Sequence, residues 1–303
     1  MKFENQIKLN KIILIIILLT FCKTSLGQNY RAQQNQLFAY NILTNGLMGG
    51  IGGVINKPIG EKWYSAFISN FGKGCLGGLV KYSAKSQTWY LRSQQNNFLM
   101  IPNRLFFFAG HSMVMNASKH KGLFDTYYLN LLGADIRWNI KKTENLKPLQ
   151  VRLSVQTLGS FALMAIEGGK LDFYRSLEMG QYYFIADTNF VNSLNTDAYA
   201  GFNTMAVRNA IYHGGRPNPI PHEIIHTYQG YDFFPITSFY YDRFLEKKIM
   251  KIKWCKTLSK YIVLDIDDFY FITAFFLQPE PQHYGNFFEF EAEHFAGRYY
   301  IYR

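Results

Sequence analysis

The sequence predicts an α+β chain, with a glycine-rich helical region first, an antiparallel β region in the middle and a helical C-terminal half built around a histidine pair. Three patterns carry this reading. Two glycine-rich pieces repeat small residues at four-residue spacing, Gly46 with Gly50 and Gly74 with Gly78, which lets helices approach closely. From about Leu129 the apolar period changes to two: Leu132, Ala134, Ile136, Trp138 and Ile140 alternate with Asp135, Arg137 and Asn139, as in a sheet with one buried face. Further on, Pro221-His222-Glu223-Ile224-Ile225-His226 puts two histidines four residues apart, on one face of a helix.

Taken from the start, Lys2, Lys8 and Lys11 precede the apolar run Ile12 to Cys22, and Ser25-Leu26-Gly27 follows with small residues. Residues 1–27 therefore read as a signal peptide for export to a periplasm or cell envelope. An uncleaved N-terminal anchor and a lipoprotein at Cys22 are the alternatives, the second opposed by the bulk of Phe21. The remaining chain divides by pattern into 28–128, mainly helical; 129–200, β; and 201–303, the histidine-bearing region, with 128–303 also compatible with a single domain.

The formal net charge is +11, falling to about +8 once the four lysines and one glutamate of residues 1–27 are removed. In an exported protein this charge favours an anionic membrane surface over nucleic acid as a partner. A plain compositional bias towards Lys, Asn, Ile, Phe and Tyr explains it equally well. After cleavage only Cys75 and Cys255 remain, either one long-range disulfide or two thiols, with no metal-binding cysteine spacing.

In the first region, glycine is costly in an isolated helix, so the glycine-rich pieces must gain from tight packing, as a helical hairpin. A membrane-contacting hairpin is the competing reading, but neither piece is long enough to span a bilayer. His111, beside Phe106-Phe107-Phe108, reads as a core histidine. Asn116-Ala117-Ser118 fits the glycosylation pattern. In the β region, Val151, Leu153 and Val155 continue the alternation, Leu171 to Asp187 reads as two strands broken near Met179-Gly180, and turns are expected at Thr143-Glu144-Asn145 and Glu167-Gly168-Gly169.

Residues 201–212 read as extended structure leading towards the histidine pair. Arg216 to Pro221 cannot be helical, but Pro221 suits a first helical position and Gly230 the position just past the end of a short helix. His222-Glu223-x-x-His226 is a zinc pattern: two neutral imidazoles bind the metal, and Glu223 takes a proton from water as general base. A third ligand is sought in Phe287 to Tyr299. On a helix, Glu289 and Glu293 edge the apolar arc of Phe288, Ala292, Phe295, Ala296 and Tyr299, while Glu291, His294 and Arg298 fall on the opposite, solvent side. A carboxylate beside buried surface needs a metal or hydrogen-bond partner, so Glu289 is the expected ligand and Glu293 the acceptor that orients a histidine.

This combination, H-E-x-x-H followed about sixty residues later by a helix of the form E-F-x-A-E-x-F-A, resembles the gluzincin metallopeptidases, in particular the group of the CAAX prenyl proteases and related membrane-associated heat-shock peptidases. The resemblance covers residues 200–303 and makes that half zincin-like. It implies His222, His226 and Glu289 as zinc ligands and Glu223 as the catalytic glutamate. Glu293 stands where that group has aspartate, and the group's several membrane spans are missing. The function expected is zinc-dependent hydrolysis of a protein or peptide substrate. Two other classes are compatible: a non-catalytic envelope binding or assembly protein retaining the zincin-like site, and a metal-free buried polar cluster. No oxyanion partner can be singled out among His283, Tyr284, Arg298 and Tyr300.

Between motif and third ligand, lysines 247, 248, 251, 253, 256 and 260 interleave with Ile249, Ile252, Trp254 and Leu258, as a solvated face over a core face or a surface for anionic lipid. Asp265, Asp267 and Asp268 lack the glycine and glutamate of a calcium loop. Phe269 to Leu277 reads as core.

Overall fold

The computed structural model describes residues 30–94, 100–141, 147–185, 198–208, 219–232, 235–240, 248, 251–264, 267–277 and 286–296. The proposed signal peptide lies outside them. The chain falls into two units, Met1–Leu37 and Phe38–Arg303. Helix α1 (Tyr30–Asn56) begins in the first, and every other element belongs to the second.

The glycine-rich pieces are helical, in α1 and α2 (Trp63–Gln94), and their glycines are where the backbones meet. A Cβ at Gly74 would fall on the Asn45 carbonyl oxygen and 2.9 Å from Gly46 Cα, and one at Gly78 would lie 2.6 Å from the Asn41 carbonyl oxygen. Gly77 faces Gly110 of α3 (Met100–Ser118) in the same way, 2.7 Å from its carbonyl oxygen. Cys75 lies against Gly46, and both Cys75 and Cys255 are free thiols. Asn116 is fully buried and donates to the carbonyls of Leu123 and Thr126, so the glycosylation pattern there is sealed inside the fold. Among the described residues, no helix is long and apolar enough to cross a membrane.

The middle of the chain alternates strands with short helices: β1 (Thr126–Leu131), β2 (Ala134–Asn139), β3 (Leu149–Ser154), α4 (Val155–Ile166), β4 (Lys170–Leu171), α5 (Phe173–Met179), β5 (Tyr182–Ile185), β6 (Ala198–Gly201) and β7 (Thr204–Val207). Then come α6 (Ile220–Gly230), α7 (Pro235–Tyr240), α8 (Lys253–Leu258), β8 (Ile262–Val263), α9 (Asp267–Phe276) and α10 (Phe287–Phe295). One sheet has the order β1-β2-β3-β8, the other β4-β5-β7-β6. Both are mainly antiparallel, with parallel pairing at β3–β8 and β5–β7. The class is α+β, as expected.

Several local expectations change. Leu132 is a turn residue: with Gly133 it forms a two-residue loop at positive φ, and Leu131 pairs with Ala134. Val155 opens α4 behind the Ser154 cap, and Phe173–Met179 is a helix capped by Asp172 and stopped by Gly180 at φ 65. In the β1-β2-β3 sheet it is the polar face that is buried. Asp135 lies inside because Arg137 and Arg152 both reach its Oδ2, at 3.1 and 2.6 Å, and Asn139 donates to the Lys147 carbonyl, while Trp138, Ile140, Leu149, Val151 and Leu153 are exposed. The expected turn at 143–145 lies outside the described residues. Helix α8 buries nothing: Trp254 and Leu258 are exposed together with the lysines around them. Phe276 and Leu277, read as core, are exposed too, whereas Phe275 packs on Phe288.

One core joins α2, α3, α5, β5, the β6-β7 hairpin, α6 and α10. Arg104 of α3, with no exposed surface, crosses between the sheets: it donates to the Asn130 carbonyl, to Gln181 Oε1 and to Asn203 in the β6-β7 turn. His111 is buried among Phe108, Tyr128 and Tyr231, and burial pushes its pKa well below the ordinary value of 6.5.

Gly74→Ala is expected to cost about 1–3 kcal/mol of stability through forced separation of α1 and α2. Gly72→Ala, two residues away in open space, is expected to stabilise by roughly 0.5–1 kcal/mol, and urea unfolding of the pair measures the contrast. His111 binds a proton in the unfolded chain but resists one when folded, so its stabilising effect is present above pH 6.5 and is lost as pH falls. Between pH 7 and 5.5 the wild type should therefore lose about 1 kcal/mol relative to His111→Gln.

Candidate metal centre

Helix α6 opens one residue earlier than expected, at Ile220, with Pro221 in its first turn, and Gly230 is its last residue and not the one just past its end. The helix is buried nearly all round. Tyr228 holds it to α3, its ring stacked on Phe107 at 3.9 Å and its hydroxyl donating to Asn103 Oδ1 at 2.7 Å. Helix α10 packs alongside, capped by Asn286, whose Oδ1 accepts from the Phe288 amide. These contacts set the two site-bearing helices in register.

Their facing side chains converge. His222 Nε2 and His226 Nε2 lie 3.0 Å apart, His222 Nε2 is 3.3 Å from Glu289 Oε2, and His226 Nε2 is 3.4 Å from Glu289 Oε1. Tetrahedral zinc with bonds of about 2.0–2.1 Å sets neighbouring ligand atoms about 3.3 Å apart, so the three groups already have metal-ligand spacing. Glu293 Oε1 lies 3.3 Å from His222 Nδ1, on the far side of that ring. Glu223 is buried on α6, and its charge is felt by both His222 and Tyr199. The structure thus brings together His222, His226, Glu289 and Glu293, with Glu223 beside them. Glu289 is the most exposed of the three converging groups and marks the open side of the cluster.

The outer ring nitrogens show what the inner ones are. An ionised Glu293 can only accept, so its place 3.3 Å behind His222 favours the tautomer with the proton on Nδ1 and a lone pair on Nε2. Gln229 does the same for His226. Its Nε2 donates to the Phe288 carbonyl at 2.8 Å and to Glu291 Oε2 at 2.9 Å, which turns Oε1 towards His226 Nδ1 at 2.8 Å. Two imidazole lone pairs and a carboxylate therefore face one another across 3.0–3.4 Å, an arrangement that repels unless a cation lies between them. Without a metal that cation is a proton. Burial alone would lower the His222 pKa, but hydrogen bonds to Glu289 and Glu293 and the nearby carboxylate charges raise it to about 9. The two histidines in turn hold Glu289 far below the usual carboxylate range, against the effect of its own burial.

Glu291 overturns its sequence assignment to the solvent side. It has no exposed surface, and His294 beside it is also buried, because α10 is covered by α6 on one side and by α2 on the other. Gln229 and Glu291 are the site residues that sequence reasoning missed. The signal for Gln229 was present, three residues after His226 and so next to it on the helix. His283, Tyr284, Arg298 and Tyr300 lie outside the described residues. Comparison of the chain with protein-family models, with curated proteins and with solved structures finds no match.

The purified chain is expected to take up one zinc ion, measured by elemental analysis after dialysis. Replacing His222 or Glu289 with alanine should weaken binding by more than the roughly 10–100-fold typical of outer partners.

Proposed function

We propose that this chain is a zinc-dependent metallopeptidase acting in the cell envelope or outside the cell. The observation that carries the reading is the convergence of His222 Nε2, His226 Nε2 and Glu289, each histidine turned inwards by an acceptor behind it. Among the described residues these three groups would hold a zinc ion, and three protein ligands would leave one position open, where the ion would supply Lewis acidity. Structural zinc sites use four protein ligands, so a set of three among the described residues favours a catalytic ion over a purely structural one.

The chain's own residues account for the remaining steps. Glu223 accepts a proton from the attacking water and delivers it to the leaving nitrogen of the peptide. Among the described residues strand β6 is an edge strand that packs against α6, so an extended peptide pairing with it would lie along the site. Glu293 and Gln229 hold the imidazoles in orientation and tautomer throughout.

Glu223→Gln keeps the shape and removes the base. It is expected to retain zinc while lowering hydrolysis of a casein or peptide substrate by about 10²–10⁴-fold, and the wild-type activity should be lost to a chelator and restored by zinc. Full activity in this variant would remove Glu223 from the mechanism. Zinc uptake without chelator-sensitive hydrolysis in the wild type would favour a non-catalytic role.

A further inference from the structure

Behind Gln229 the polar chain continues into the glycine-rich helices. Glu291 uses both carboxylate oxygens: Oε2 accepts from Gln229, and Oε1 accepts from Lys85 Nζ at 2.9 Å and Asn41 Nδ2 at 2.7 Å. Lys85 distributes its three N–H groups among Glu291 Oε1, Asp232 Oδ2 at 2.7 Å and Asn41 Oδ1 at 3.0 Å. Lys81, one turn earlier, pairs with Asp232 Oδ1 and donates to Asn45 Oδ1 at 3.1 Å. Neither lysine has any exposed surface. Two ammonium and two carboxylate groups balance, so the cluster is neutral as a unit. The close approach at Gly74 and Gly78 brings Asn41 and Asn45 within reach of the lysines.

We propose that Glu291 and Lys85 are positioning residues of the metal centre, acting on His226 through Gln229, so that the glycine-rich helices form part of the site. This rests on the zinc reading above. The chemistry requires a carboxylate at position 291, because donors approach both of its oxygens. An amide there would point its own N–H at either Lys85 or Gln229. If Gln229 lost its acceptor, its amide could turn over and present N–H to His226 Nδ1, which would draw the ring's proton to Nε2 and block the ligand atom.

The test uses the full chain with zinc as the probe, competed against a chelating dye, with circular dichroism and thermal midpoint recorded on each variant. Glu291→Gln and Lys85→Met are expected to weaken zinc binding about 10–100-fold while remaining folded. Lys81→Met removes an equally buried lysine that does not bond to Glu291. It should lower the thermal midpoint without comparable loss of zinc affinity. Equal affinity losses in all three variants, or unchanged affinity in Glu291→Gln, would overturn the proposal. Absence of zinc binding in the wild type would instead overturn the metal reading itself. Should the variants not fold, nitrogen-15 spectra of histidine-labelled, zinc-loaded wild type decide the question: His226 bound through Nε2 with a slowly exchanging Nδ1 proton supports the proposal, and binding through Nδ1 refutes it.

Discussion

Lys81 and Lys85 are ammonium groups removed from water, and each would cost several kcal/mol if left without partners. Burial pulls the Lys81 pKa down, while Asp232 and Glu291 draw the Lys85 pKa up despite the same burial. Meeting that demand brings together residues from across the chain: Asn41 and Asn45 from α1, the lysines from α2, Asp232 just beyond α6, and Glu291 from α10. Apolar packing among the same helices is large but non-directional. The charged hydrogen bonds have fixed donor and acceptor directions, and so they select the mutual register of the helices. The glycines act at the same place, since a side chain at Gly74 or Gly78 would push α1 off α2 and break the asparagine contacts.

The cluster of His222, His226 and Glu289 depends on this register. His222 and His226 come from one helix and Glu289 from another, so their 3.0–3.4 Å separations survive only if α6 and α10 neither slide nor rotate. The Tyr228 stack on Phe107 fixes α6 to α3, and the Gln229–Glu291 bond fixes it to α10. Glu289 also lies in the first turn of α10, where the helix dipole favours an anion. The site is therefore rigid at its back and open at Glu289.

How far the sequence reached differs by element, for physical reasons. Alternation in Ala134–Asn139 identified a strand, because side-chain direction alternates in any strand. It did not identify the inner face, since Asp135 becomes tolerable inside only through Arg152 on the next strand and Arg137 on its own. The first of the two strands expected over Leu171 to Asp187 is instead the helix Phe173–Met179, with cap residues Asp172 and Gly180 at its two ends, and over so short a stretch these mark a helix more reliably than a continued alternation marks a strand.

In the histidine region, the sequence alone determined what is local. Spacing of four residues puts His222 and His226 on one face whatever surrounds them, and proline sets where that helix can begin. The projection of α10 also placed Glu289 and Glu293 at a common edge, and the structure has both touching His222. Only the tertiary structure decided that Glu291 is inside, that Lys81 and Lys85 are its surroundings, and that Gln229 faces inwards with its oxygen on His226. A helix carries its own periodicity but not the number of neighbours that will cover it, so a polar residue opposite the apolar arc reads as solvated until a second and third helix arrive to enclose it.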